Sequence, residues 1–203
     1  MKVSKHKNKK SGLTVLEMMV AIGIFTMIIT IGIGSILATN VTRNKTESQR
    51  KAIDTLTFVM EDMTRNLRLA RGAYRCMDPR VETLNDEEPA DCLGGKLGIA
   101  YEPYDGNGPD NPDLSNQEIY WIDPGRGLMK SYDGGQTSVV LVLEEEFKFN
   151  IAQSGFNVIG SEPGISDGRQ PRVIIRMAGE TVGPGPNTVL NLQSTVSRRL
   201  IDQ

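Results

Sequence analysis

LTVLEMMVAIGIFTMIITIGIGSIL, residues 13–37, is a run of 25 residues with a single charge, Glu17. As a helix rising about 1.5 Å per residue it spans roughly 37 Å, enough to cross a hydrocarbon core of about 30 Å. Before it stand residues 1–12, MKVSKHKNKKSG, with five lysines and no acid. The positive-inside rule sets that end in the cytoplasm and everything from about Ala38 onward outside. A cleaved secretory signal has an apolar core of about 7–15 residues followed by a small-residue cleavage site. This run is longer, and no such site follows Leu37. A plain signal anchor fits the same residues.

Glu17 strains the plain anchor, because an ionisable group inside a spanning segment costs a few kcal/mol and is a functional candidate by default. Thr14 and Glu17 also have the T-x-x-E spacing of a capping box, and a carboxylate in the first turn suits the helix dipole. Capping accounts for Glu17 if the helix starts near Thr14. It does not account for the basic leader ending in Gly12.

Lys9-Lys10-Ser11-Gly12 followed by Leu13-Thr14-Val15-Leu16-Glu17 and an apolar run resembles the class III leader of type IV pilins and type II secretion pseudopilins. The resemblance implies that a prepilin peptidase cuts between Gly12 and Leu13 and that Leu13 is then N-methylated. It makes Glu17 the carboxylate that guides assembly with other pilin or pseudopilin subunits on an inner-membrane platform. The family prefers Phe where this chain has Leu13. Many major pilins close a C-terminal loop with a disulfide, and no cysteine lies near this C-terminus. The resemblance is therefore to a minor pilin or pseudopilin.

Beyond the apolar run, Ile53, Leu56, Met60, Met63, Leu67 and Ala70 recur at steps of three or four, an apolar helical stripe. The opposite face carries charges from Arg43 to Arg65, and Gly72 reads as a helix stop. The pattern predicts a helix from Leu13 to Arg71. Its stripe either packs on a sheet of the same chain, with Met60 and Met63 as core, or forms a short coiled-coil stalk. Strand signals follow at 96–102, 117–122, 128–132, 138–143, 146–151, 171–178 and 188–200, the last also open to a helical reading. Asp123-Pro124-Gly125-Arg126-Gly127 between two apolar runs predicts a hairpin. Short runs separated by turns after one long helix predict an α+β fold with an antiparallel sheet. The element order, with the hairpin at Tyr120–Lys130, also resembles J-type pseudopilins.

Cys76 and Cys92 enclose 15 residues rich in acid. Outside the membrane two such cysteines usually pair; two reduced thiols are the alternative. Residues 103–116, PYDGNGPDNPDLSN, are turn punctuation built for Asx turns. Asp105, Asn107, Asp110, Asn111 and Asp113 supply oxygen ligands, and since some pseudopilins bind calcium, the resemblance implies calcium as the alternative cofactor. The EF-hand pattern is not met. Gly179–Gly185 reads as a loop, since no Gly-Lys-Ser/Thr follows. Glu144 and Glu145 read as neighbours on a strand, facing opposite sides.

The whole chain has 203 residues and a formal charge of -2. Loss of residues 1–12 leaves 18 basic against 25 acidic side chains, a balance of -7. An acidic body disfavours a phosphate backbone as partner. The one histidine, His6, lies in the leader, so no histidine-based triad can be built in the body. Two cysteines make no Cys₄ or Cys₂His₂ zinc site. The reading is a non-enzymatic filament subunit with a leader (1–12), a membrane and assembly helix (13–37), an amphipathic helix (38–72) and a β-rich head (73–203). The alternative is a single-pass, membrane-anchored binding protein that never polymerises.

Overall fold

The computed structural model describes residues 14–70, 74–78, 90–103, 116–161, 170–183 and 187–197. The fold is α+β: one long helix, α1 (Val15–Leu69), followed by antiparallel strands. The chain divides into two compact units, Met1–Asn44 and Lys45–Gln203.

In the first unit, α1 starts at Thr14. The Thr14 hydroxyl accepts the Glu17 backbone N–H at 3.3 Å, and its carbonyl accepts the Met18 N–H at 3.2 Å. The first of these satisfies one of the otherwise unpaired N–H groups of the first turn, and the second is the first bond of the helix ladder. Thr26, Thr30 and Thr39 donate their hydroxyls to the carbonyls four residues back, at 2.7, 2.8 and 2.9 Å. Their polarity is absorbed inside the helix.

In the second unit, Ala52, Leu56, Val59, Met60, Met63 and Leu67 of α1, and Ala70 just beyond it, are buried. Packing onto the same chain, rather than a free stalk, covers the stripe. Ile53, expected in it, is 40% exposed. Ala52, four residues before Leu56, takes the inward position, and Ile53 falls at the margin. The helix ends at Leu69, short of the expected Arg71. There the Tyr74 hydroxyl donates to the Leu67 carbonyl at 2.5 Å, satisfying one of the last four carbonyls from the side.

The strands are β1 (Arg75–Met77), β2 (Cys92–Lys96), β3 (Gly98–Tyr101), β4 (Glu118–Asp123), β5 (Gly127–Ser131), β6 (Val139–Leu143), β7 (Phe147–Phe149), β8 (Gly155–Ile159), β9 (Arg172–Thr181) and β10 (Val189–Ser197). They form two sheets, not the single one expected. The first has the order β1-β3-β4-β5-β6; the second has β10-β9-β8-β2, with β7 also on β9. The β4–β5 hairpin is present, with Asp123 opposite Gly127. Gly127 has φ +105°, and a Cβ there would lie 2.0 Å from the Val142 carbonyl oxygen, so only glycine fits. Glu144 and Glu145 are not on a strand; they lie in the turn between β6 and β7. That turn carries the chain from the first sheet to the second. β9 runs to Thr181, three residues into the stretch read as a loop. The last expected element is a strand, paired along its length with β9.

One hydrophobic core joins α1 to both sheets through Leu56, Met63, Leu67, Tyr120, Phe147, Phe156 and Ile175, among others. Alternation along β1, β3 and β4 sends Cys76, Ile99 and Tyr120 to that core. It sends Met77, Ala100, Ile119 and Trp121 to a second cluster on the opposite face. Cys76 and Cys92 form a disulfide, as expected, with Cα atoms 6.1 Å apart. It ties the edge strand β1 of one sheet to the edge strand β2 of the other. Closing a loop of this size contributes about 3 kcal/mol in the chain-entropy model.

Candidate functional site

The residues singled out by the sequence fall into three groups. Gly12 and Leu13 lie outside the described residues, as do Asp105, Asn107, Asp110, Asn111 and Asp113. Cys76 and Cys92 are joined. Glu17 is exposed in the first turn of α1, with its backbone N–H held by Thr14. No ion pair to its carboxylate occurs among the described residues.

Glu17 sits near the start of a segment, Val15–Asn40, that is long and apolar enough to cross a membrane. None of its most apolar stretch is buried by the rest of the chain. Val15, Leu16, Met19, Phe25 and Met27 are each mostly exposed, and apolar side chains occupy every face. A helix hydrophobic all round belongs in a core or a bilayer. This one is uncovered among the described residues, and its length and composition suit a bilayer. A carboxylate on that surface prefers a cationic partner wherever water is excluded.

A second polar constellation, not foreseen from the sequence, lies where α1 meets the first sheet. The Lys130 ammonium is 2.8 Å from the Glu118 carboxylate, and its side chain is only 4% exposed. It lies 4.9 Å from the centroid of the Tyr120 ring and 4.2 Å from that of Tyr132. Tyr101 donates to the Glu118 carboxylate. Tyr120 donates to Asp62 at 3.1 Å and accepts from Asn66 at 2.8 Å. Asn66 also donates to Asp62 at 3.1 Å. Burial works to lower the Lys130 pKa, but Glu118 and then Tyr120 outweigh it and the ammonium is held above its ordinary value. Burial is the main cause that raises Tyr101, reinforced by Tyr120 and Glu118. Burial likewise raises Tyr120, against the lowering contacts from Lys130 and Asn66. The lysine is thus charged and both phenols are neutral at any physiological pH. Neither the lysine nor either phenol is poised near neutrality as a proton-transfer group needs to be. A buried polar network with every member partnered is what specifies one packing of helix on sheet. Its sequence signal was a lysine inside an otherwise apolar strand, Leu128-Met129-Lys130.

Among the described residues, no group of three or more His, Cys, Asp or Glu side chains could hold a metal ion. The chain matches no protein-family model, no curated protein and no solved structure.

Proposed function

We propose that the chain is a structural subunit, a minor pilin or pseudopilin, of a type IV pilus or type II secretion-like filament. A prepilin peptidase removes residues 1–12 by cutting after Gly12, and Leu13 becomes the methylated N-terminus. The chain sits in the cytoplasmic membrane with its N-terminus inside and its β-rich head outside until it joins the filament. The observation that carries this reading is the uncovered apolar helix Val15–Asn40 bearing one carboxylate, Glu17, near its start. Cleavage after Gly12 frees an ammonium at Leu13, one helical turn from Glu17 and available to a neighbour's Glu17. An apolar environment favours that pairing. In a filament it fixes axial register between subunits. The work of the protein is assembly and force transmission, with no reaction of its own.

Mass spectrometry of the N-terminal peptide of the envelope protein tests this. The expected peptide begins at methylated Leu13. A peptide beginning at Met1 or Lys2 removes the filament reading and leaves a single-pass membrane anchor for an external binding domain. The Thr14 cap on the Glu17 N–H suits that second reading equally well.

A further inference from the structure

The outer face of α1 within the second unit is the feature that neither the fold nor the apolar segment uses. Opposite the buried stripe, Arg50, Asp54, Phe58, Glu61, Arg65 and Leu69 are exposed. Phe58 is 72% and Leu69 57% exposed, large apolar side chains set among charges. None of the four charged residues enters an ion pair among the described residues. Eleven residues make three turns and about 20° of an α-helix, so positions eleven apart share a face. Arg50 and Glu61 are eleven apart. So are Asp54 and Arg65, and so are Phe58 and Leu69.

We propose that this face docks on the same face of a second copy, parallel to it and displaced by eleven residues, an axial step of about 16 Å. At that offset Arg50 meets Glu61, Asp54 meets Arg65 and Phe58 meets Leu69, with no like charges opposed. Other offsets do worse. Without displacement each charge faces itself. At seven residues Asp54 faces Glu61. At four, Arg50 meets Asp54 and Glu61 meets Arg65, but two charges fall on apolar side chains, Asp54 on Phe58 and Arg65 on Leu69, against one, exposed Glu47 on Phe58, at eleven. Complementary charge sets register more than strength, while the aromatic and leucine side chains supply the apolar contact. The occupant is another copy of this chain because the pattern is complementary to itself. The inference deepens the filament reading by naming a contact between subunits outside the apolar segment.

The test uses the full-length chain in its own membranes. Phe58→Cys and Leu69→Cys chains are co-produced and oxidised with copper–phenanthroline. Two thiols become one disulfide, two protons leave, and two electrons reduce two Cu(II) ions. The expected product is a 58–69 linked dimer, several-fold above the dimers of either variant alone. Adding Asp54→Arg to both chains lowers its yield, and adding Arg65→Asp as well restores it. Same-site dimers in equal or greater yield, or no dimer beyond that of the unsubstituted chain, overturn the proposal. The two readings separate cleanly. A 58–69 dimer in a chain that retains residues 1–12 keeps the contact and removes the filament. A chain beginning at Leu13 without that dimer does the reverse.

Discussion

Asp133 is a single half-buried carboxylate that organises a whole loop. It accepts from the Ser131 hydroxyl at 2.7 Å, the Thr137 N–H at 2.8 Å and the Thr137 hydroxyl at 2.6 Å. Thr137 is the main reason that its pKa falls from 3.8 to about 2, with Ser131 adding to it. Gly135 of the same loop has φ +92°, a left-handed backbone conformation that favours glycine. A depressed folded-state pKa means that the ionised form stabilises the fold above about pH 4, and that this contribution disappears as pH falls toward 2. Asp133→Asn should therefore lower the midpoint of denaturant unfolding at pH 7, with the gap to the native chain closing between pH 4 and 2. A gap that stays constant with pH would mean that the loop does not depend on the charge. Lys130 is the opposite case, a charge inside the protein. Lys130→Met leaves the Glu118 carboxylate without its counter-ion and should cost about 3 kcal/mol in unfolding free energy. Combining it with Glu118→Gln should recover much of that loss; strict additivity of the two would show that the groups do not act as a pair. That a lysine interrupts an apolar strand is visible in the sequence. Which carboxylate it meets is not, because Glu118 becomes its neighbour only through the β4–β5 register.

At the scale of elements, periodicity found most of what periodicity can find. The stripe from Leu56 to Ala70 is buried as read, and only its first member shifted from Ile53 to Ala52. Met63 is fully buried in the core, whereas Phe58 on the same helix is 72% exposed. Met63→Ala should cost about 2–5 kcal/mol, and Phe58→Ala less than about 0.5 kcal/mol, measured by chemical unfolding of the full chain in detergent. Comparable losses at both sites would contradict the assigned helix face. Strands β1, β2 and β8 were not legible. β1 is three residues long, too short to show a period. β2 contains Gly94-Gly95, which reads as a turn, and β8 follows a turn at 151–153 with only five residues. The number of sheets was hidden for a different reason. A short turn between two apolar runs reads as a hairpin, yet the one at Glu144–Glu146 separates strands in different sheets. Phe147 and Phe149 enter the core with ring centroids 4.9 Å apart, and β7 pairs with β9 instead of β6. Long-range pairing of that kind leaves no trace in local sequence.

For the molecule as a whole, the two functional readings assign opposite consequences to one carboxylate. A buried glutamate in a spanning segment costs a few kcal/mol on insertion scales. A protein that only needs an anchor gains by losing it: Glu17→Ala would insert at least as well and leave the head as it is. A filament subunit gives up its pairing with a neighbour's Leu13 ammonium. Glu17 was legible because one charge in an apolar run stands out, and the structure adds that the Thr14 hydroxyl already holds its backbone N–H. That cap uses the main chain of residue 17 and survives substitution by alanine, so helix formation and filament entry are separable. On the proposed filament reading, the expected result for Glu17→Ala is normal membrane abundance and normal removal of residues 1–12. Its content in sheared filaments should fall at least tenfold relative to the native chain, a differential of about 1.4 kcal/mol or more. Glu17→Asp, one methylene shorter but still charged, should retain part of the incorporation. Filaments containing Glu17→Ala at the native level would assign Glu17 to the helix start alone and take the register argument away from the assembly.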